Sequence, residues 1–265
     1  MNRRLTPDRF LSLWTAAGGD DMPFPLRYRS TAAWENEYVA DLRAAEEWRR
    51  RLDDPALEHA VRTFHTGEIS IEVYGSSCHP GESVFASGAV LGESAVLAQQ
   101  YANAGDIEVA WMPADLLAAA VAGFLPVVPP GRMSQQTAPA RDIVDPVDRN
   151  AVRLRQGGST AHAIRGLLLR ERTATGSVRF FLGAPGTASR AVSSVGWFDV
   201  VDDGRYLFTE GADTRVTPGT PDALREEVSR RLNAARSARR ASTGQPRRRI
   251  DGLSAAIPNA DRRLP

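Results

Sequence analysis

The sequence contains no lysine, and this absence excludes several kinds of catalytic site. All 33 basic residues are arginine. A P-loop lysine, a Schiff-base lysine, a kinase-type lysine and a Ser-x-x-Lys nucleophile are therefore ruled out. No Gly-x-Gly-x-x-Gly fingerprint follows a predicted strand, so no dinucleotide site is indicated. Ser76 and Ser77 lack the Gly-x-Ser-x-Gly elbow of the α/β-hydrolases.

Cysteine and long apolar runs are also scarce. The single cysteine, Cys78, can form neither an internal disulfide nor a cysteine-rich metal site, which fits a reducing compartment. The longest apolar run, 116–125, is too short to span a bilayer, and the N-terminus has no apolar signal core. We therefore expect a soluble cytoplasmic protein without membrane insertion.

The candidates for nucleophilic or metal chemistry are few. Cys78 and His79 form the best nucleophile pair, but consecutive residues seldom orient a thiol toward its base, so the pattern favours an ordinary loop cysteine. His59, His65 and His162 have no partners at the spacing of metal ligands. An enzyme would be indicated only if the folded chain gathered Cys78, a histidine and a carboxylate in one pocket.

The first half of the chain alternates between helical and strand periodicity. Apolar residues recur at helical spacing in four segments. These predicted helices begin at Pro7, Ala32, Pro55 and Pro113. The predicted strands are Ile69–Val73, Val84–Val90, Ala95–Tyr101 and Ile107–Trp111. Helices, four strands and a closing helix therefore make up the first half.

The second half repeats this plan after a proline-rich boundary, since five prolines fall between 126 and 146. A helix is predicted at about 145–156 and another from Pro221. Strands are predicted at about 160–170, 178–182, 192–200 and 205–210, with a turn at Thr175-Gly176. We expect one domain, 1–236, with halves at about 5–125 and 145–236 joined by the linker 126–144.

The strongest turn signal in the chain is Asp203-Gly204, within the stretch Val195–Glu210. Aromatic and β-branched residues flank the pair on both sides, as they do in strands. A two-residue turn of type I′ requires positive φ at both central residues, which Asp tolerates and Gly prefers. The sequence therefore predicts a hairpin here, and its role is structural.

Charge is distributed unevenly along the chain. The net charge of +1 combines +5 in residues 237–265 with −4 in the remainder. The tail is also poor in large apolar residues, so we expect it to be a disordered arginine-rich segment. Its Arg247–Arg249 run could contact phosphates, but no interleaved aromatic residues support base stacking, and a nucleic acid partner is disfavoured.

Four short motifs occur in the order and on the elements found in a known family. They are Leu5-Thr6-Pro7-Asp8-x-Phe10 with Trp14, the segment 23–30, the segment 125–131, and Gly196-Trp197-Phe198-Asp199 with Asp203-Gly204-Arg205-Tyr206. Over residues 5–236 the chain resembles the EspG family, the secretion-associated proteins of the ESX (type VII) systems of mycobacteria and their relatives. The tail is not part of this resemblance.

The resemblance implies both a fold and a function. The fold is α+β, with a central antiparallel β-sheet, flanking helical bundles and a quasi-twofold pseudo-repeat of two halves. The function is that of a cytosolic chaperone, which binds the apolar tip of the PPE protein in a PE–PPE pair and keeps the pair soluble for ESX secretion. The resemblance implies neither catalysis nor a cofactor. The alternative is a non-catalytic interaction module of the same fold that serves a different partner.

The resemblance also implies that the client-binding surface involves the central sheet, a strand-connecting loop and the C-terminal helical part. Several strands carry more apolar residues than one buried face requires. The candidate client-binding residues are Val84, Val90, Val96, Phe180, Leu224 and Val228. Burying them against an apolar tip would contribute about 25 cal/mol per Å². The alternative is that helices already cover both sheet faces. The sequence leaves open the client and whether a weak homo-oligomer forms.

Overall fold

One antiparallel sheet of ten strands runs through the part of the protein that the structure describes. This computed structural model describes residues 1–101, 103–144, 159–187 and 191–244. The strands are β1 Asn2–Leu5, β2 Ile69–Ser77, β3 Val84–Leu91, β4 Ser94–Gln100, β5 Ile107–Pro113, β6 Gln136–Pro139, β7 Arg172–Leu182, β8 Ala191–Val200, β9 Gly204–Thr209 and β10 Asp213–Pro218. Their order across the sheet is β1-β5-β4-β3-β2-β7-β8-β9-β10-β6.

The two halves of the chain meet at the centre of this sheet. Strands β2 and β7 pair antiparallel, from Ile69 opposite Leu182 to Ser77 opposite Ala174. Outward from this pair, the order is β2-β3-β4-β5-β1 on one side and β7-β8-β9-β10-β6 on the other. The predicted α+β fold with a central antiparallel sheet is confirmed. The quasi-twofold relation between the halves stays a prediction.

Seven helices within the described ranges flank the sheet. They are α1 Pro7–Ala16, α2 Glu35–Arg50, α3 Pro55–His65, α4 Leu117–Phe124 (after a 3₁₀ turn, Ala114–Leu116), α5 Ala140–Val144, α6 Thr160–Leu168 and α7 Pro221–Gly244. Side-chain caps fix several helix starts, because they satisfy backbone N–H groups that have no partner in the helix. Asp54 accepts from the Leu57 N–H at 3.0 Å, and Ser159 accepts from the His162 N–H at 3.2 Å.

Helices cover one face of the sheet across both halves. On this back face, α4 packs on β4, and α7 packs on β7 and β8. The core beneath these helices includes Leu117, Phe180, Trp197 and Val228, each at most 2% exposed. Because α4 belongs to the first half and α7 to the second, this core joins the halves into one hydrophobic unit.

The opposite face, the front face, carries two separate cores near its ends. At one end, α1 and α3 pack on β3, β4 and β5 around Phe10, Trp14 and Phe64. At the other end, α5 and α6 cover β6, β8, β9 and β10 around Phe198 and Tyr206. Of the described residues, neither front core includes one from β2 or β7.

The β8–β9 hairpin is held by a buried ion pair. Arg205 donates from Nε to Asp199 Oδ1 at 2.7 Å and from Nη2 to Oδ2 at 2.8 Å. Its Nη1 donates to the Pro126 carbonyl at 2.8 Å, and its backbone N–H donates to the Pro129 carbonyl at 2.7 Å. The hairpin therefore clamps the proline segment that links the halves.

The turn of this hairpin differs from the prediction. Val200 pairs with Gly204, so Val201, Asp202 and Asp203 form a three-residue loop. The positive φ of +57° falls on Asp202 and not on Asp203. Gly204 has a φ of +145°, which favours glycine, and a Cβ there would also lie 2.5 Å from the Pro129 carbonyl oxygen. Backbone conformation and the close approach of the proline segment together select this glycine.

Two further predictions in the second half are wrong. Residues 160–170 form α6 and not a strand, because Ser159 caps a helix whose Ile164 and Leu167 share one buried face. Thr175-Gly176 lies inside β7 and makes no turn. Gly176 admits the Trp197 ring of β8, since a Cβ would lie 2.2 Å from it. Near the N-terminus, β1 pairs with β5 and had no predicted counterpart.

The predicted boundaries of the linker and the tail also change. The linker 126–144 contains β6 and α5, and α7 continues eight residues beyond 236. Residues 237–243 contain no Gly or Pro, so nothing in their sequence ends the helix before Gly244. The helix predicted at 145–156 and the tail from 245 lie outside the described residues.

Candidate functional site

The candidate site is the centre of the front face, between the two front cores. We define the central strip by the side chains of Tyr74, Glu72, Ser177, Arg179 and Ser194. They face the front because their strand neighbours Val73, Val178 and Val195 belong to the back core. Arg179 and Ser194 are exposed, and the other three are half-buried.

Sheet register places the polar side chains of the strip in one row. Glu72 lies opposite Ser87 on β3 and opposite Arg179 on β7, and Arg179 lies opposite Ser194 on β8. Directly opposite side chains in an antiparallel pair lie about 4.5–5.5 Å apart at Cβ. The row therefore crosses the junction of the two halves without a break.

The charges of this row are incompletely paired. An Nη1 atom of Arg179 lies 3.4 Å from Glu72 Oε2, and the two side chains are 46% and 22% exposed. Burial raises the pKa of the Glu72 carboxyl, and the opposing influence of Arg179 does not offset it. Glu72 Oε2 and the Ser87 hydroxyl are buried and form no hydrogen bond within the described residues.

Aromatic rings border the strip on both sides of the polar row. The Tyr74 ring lies 5.7 Å from Phe85 and 5.8 Å from Phe24. Phe24 belongs to the connector between α1 and α2 and is 48% exposed. On the other side, Arg179 stacks over Phe181 at 5.1 Å. The strip thus combines apolar rings, which a partner could cover, with charged groups, which a partner must satisfy.

The loop between β2 and β3 continues from the end of the strip. Within it, the Ser77 hydroxyl donates to Glu82 at 3.3 Å, and the His79 N–H donates to the Ser77 oxygen at 3.1 Å. A cleft of about 430 Å³ lies between this loop and α4, and its lining includes Val84, Tyr101 and Phe124. The loop therefore connects the front face with an open cleft beside the back core.

The structure places all six predicted client-binding residues in the core. They are between 0% and 4% exposed, namely Val84, Val90, Val96, Phe180, Leu224 and Val228. Val96 lies in a front core, and the other five lie in the back core. The reason is that helices cover these parts of both faces. In this conformation the six side chains cannot touch a partner, and their part in binding stays an untested prediction.

The candidate catalytic residues do not converge in the described part of the chain. Cys78 is exposed in the β2–β3 loop, and its N–H donates to the Thr173 carbonyl. The neighbouring cleft has Glu82 in its lining, but neither Cys78 nor a histidine. His65 packs edge-on against Trp14 at 5.2 Å, and His162 is exposed on α6.

Sequence reasoning missed the central strip because its defining contact is not local. Glu72 was visible as the polar side of an alternating strand, and Arg179 was visible between the apolar residues Val178 and Phe180. The pairing of β2 with β7 brings them together across more than a hundred residues. A search for opposite charges on strands predicted to be central was the available signal.

These features define an α+β protein whose candidate site is an open surface and not an enclosed cavity. The described residues include no helix that is both long and apolar enough to cross a membrane. A family model described as the EspG family matches residues 6–230, and the chain belongs to this family.

A solved structure has a similar fold. It is the Mycobacterium tuberculosis type VII secretion system chaperone EspG5 in complex with a PE25–PPE41 dimer, with a TM-score of 0.56 and 15% sequence identity. The match covers 85% of this chain and 93% of that chain. At this identity the likeness concerns the fold. No curated protein matches this chain.

Proposed function

We propose that this protein is a specific chaperone of type VII secretion, which binds a PE–PPE-type client and keeps it soluble until secretion. The observation that carries this proposal is the central strip, an open surface between two front cores in a member of the EspG family. A protein of the same fold, EspG5, was solved in complex with a PE25–PPE41 dimer.

The physical basis of client binding is the removal of apolar surface from water. Phe24 and Tyr74 offer exposed or half-exposed rings beside the strip. Each 100 Å² of apolar surface that a helical tip covers contributes about 2.5 kcal/mol. The lost translational and rotational freedom of the partners opposes this gain. A standard-size interface, in which each partner buries about 800 Å², needs the strip together with its flanks.

We infer a non-catalytic protein that acts in the cytoplasm. The open strip and the dispersed positions of Cys78, His65 and His162 support a role in binding. A cytoplasmic location follows from the same role, because a client must be held soluble before it is exported.

A co-expression experiment tests the proposal. A PE–PPE pair from the same organism should co-purify with this chain as a stable complex, and the pair should be less soluble without it. If no such pair binds, the chaperone function is wrong although the fold is that of the family.

The alternative is an interaction module that serves another partner through its basic C-terminal segment. Seven arginines between 237 and 265 favour this alternative. Because α7 extends to Gly244, the informative truncation removes residues 245–265 and leaves the helix intact. If truncation leaves binding of that partner unchanged, the tail takes no part in it and this alternative is wrong.

A further inference from the structure

The strip contains a carboxylate that the protein itself leaves without a hydrogen-bond donor. Glu72 Oε2 is buried and accepts no hydrogen bond from the described residues. Its cross-strand neighbour Ser87 is fully buried, and its hydroxyl also has no partner among those residues. Buried polar groups in folded proteins are nearly always hydrogen-bonded, so two orphan groups side by side require an explanation.

The nearest cation does not provide that hydrogen bond. Arg179 Nη1 lies 3.4 Å from Glu72 Oε2, which leaves a charge attraction without hydrogen-bond geometry. Its guanidinium stacks over the Phe181 ring at 5.1 Å, and nearly half of the side chain is exposed. Oε2 itself is closed to solvent, but the Glu72 side chain is 22% exposed, so water reaches the remainder of this side chain in the free protein.

A partner that covers the strip changes this situation, because it displaces the water. A carboxylate that loses its solvent without gaining a donor carries a large desolvation penalty. An entirely apolar partner surface would therefore be rejected at this point, whereas one with a well-placed donor would be accepted. This asymmetry is the usual origin of specificity at a buried polar group.

We propose that Glu72 is a specificity-determining residue of the front face, which accepts a hydrogen bond from a cationic or amide side chain at the client's tip. This inference rests on the proposed function, since it names a chemical requirement for clients bound at the strip. Arg, Lys, Asn and Gln are the side chains that meet the requirement. Clients with only apolar residues at that position are excluded.

The test compares Glu72→Gln with Glu226→Gln, which removes an exposed carboxylate from α7 on the back face. Affinity for a PE–PPE pair is measured by calorimetry, and the stability of each free variant by thermal unfolding. Glu72→Gln should weaken binding about 3- to 10-fold, because the Gln carbonyl keeps an acceptor but the charge that strengthens the hydrogen bond is lost. Its melting temperature should stay equal or rise. Glu226→Gln should change neither.

A double-mutant cycle then identifies the donor on the client. Each Arg, Lys, Asn and Gln at the client's tip is replaced by Ala in turn. One replacement should weaken binding to the wild-type chain clearly more than it weakens binding to Glu72→Gln. Equal losses with both chains at every position would overturn the inference.

The possible failures are distinguishable. If the wild-type chain binds no PE–PPE pair, the proposed function fails and the inference fails with it. If the wild type binds and Glu72→Gln binds equally well, only the inference is overturned. A parallel loss of stability and binding in Glu72→Gln would indicate a structural residue and would also overturn it.

Discussion

Replacing Asp199 by Ala should be among the most destabilising single changes in this protein. Asp199 and Arg205 are 3% and 6% exposed, and two hydrogen bonds of 2.7 and 2.8 Å join them. Removal of the carboxylate leaves the Arg205 guanidinium buried, with the Pro126 carbonyl as its remaining acceptor among the described residues.

The expected magnitude follows from this burial. Breaking a buried ion pair by removing one partner costs about 3–5 kcal/mol. For a domain of this size, each kcal/mol lowers the melting temperature by about 2–4 °C. Asp199→Ala should therefore melt about 10 °C below the wild type. Because Arg205 holds the proline segment, proteolysis near Pro126–Pro130 should also become faster.

The assay is thermal unfolding followed by circular dichroism, and Glu46→Ala is the matched control. Glu46 forms an ion pair with Arg50 at 2.7 Å, but the two side chains are 49% and 66% exposed. Exposed helical pairs contribute only about 0.3–0.5 kcal/mol. Equal shifts in the two variants would refute the claim that burial makes the Asp199–Arg205 pair important. The double variant Asp199→Ala/Arg205→Met should recover part of the loss, since it leaves no buried charge.

Three other predictions concern the sheet and its cores. Burial raises the pKa of the Glu72 carboxyl in the folded state, so ionisation of this group lowers the stability of the fold. At pH 7, Glu72→Gln should therefore unfold at a higher urea concentration than the wild type. At a pH below the pKa of the unfolded state this difference should disappear, and a difference that persists there would contradict the assignment. Gly131→Ala should lower the free energy of unfolding by about 1–3 kcal/mol, since the added Cβ would lie 2.0 Å from the Tyr206 ring. If the variant is as stable in urea as the wild type, the proline segment can shift to make room, and the predicted clash is wrong. Leu224→Ala should lower the free energy of unfolding in urea by about 2–5 kcal/mol. The affinity of the folded variant for the client should stay unchanged. A loss of affinity without a loss of stability would show that Leu224 contacts the client.

Local patterns predicted the elements that depend on neighbours in sequence. Alternation along Ile69–Val73 and Ile107–Trp111 predicted strands that the structure confirms as parts of β2 and β5. The predicted start of α7 at Pro221 is also correct. Each of these elements buries one face, so the spacing of its apolar residues along the sequence follows which side chains are buried.

Elements that depend on distant partners were not predictable in this way. The short strand β1 exists because Arg3 pairs with Val109 of β5, more than a hundred residues away. The run 160–170 is apolar enough for either a strand or a helix, and the cap at Ser159 decides in favour of α6. Whether a valine such as Val96 faces a helix or a partner depends on which helix packs above it.

The candidate site shows the same division. Its polar character was visible in Glu72 and Arg179 separately, but the row that they form requires the β2–β7 pairing. The six predicted client-binding residues were chosen for their apolar character, and apolar residues on central strands or on the inner side of a helix are normally buried. An exposed binding strip is marked instead by polar and aromatic residues on central strands.

The most direct measurement of the central claim compares front-face and back-face variants in binding a PE–PPE pair from the same organism. Phe24→Glu and Ser194→Arg alter exposed positions at the strip, and their controls, Leu116→Glu and Ser237→Arg, alter exposed positions on the helical side of the back face. All four should melt within a few degrees of the wild type, as surface changes usually do. The front-face variants should lose at least about tenfold in affinity, as expected when a contact worth more than about 1.4 kcal/mol is lost, and the back-face controls should bind as the wild type does. Wild-type affinity in both front-face variants, or an equal loss in the controls, would contradict the assignment of the strip as the client-binding surface.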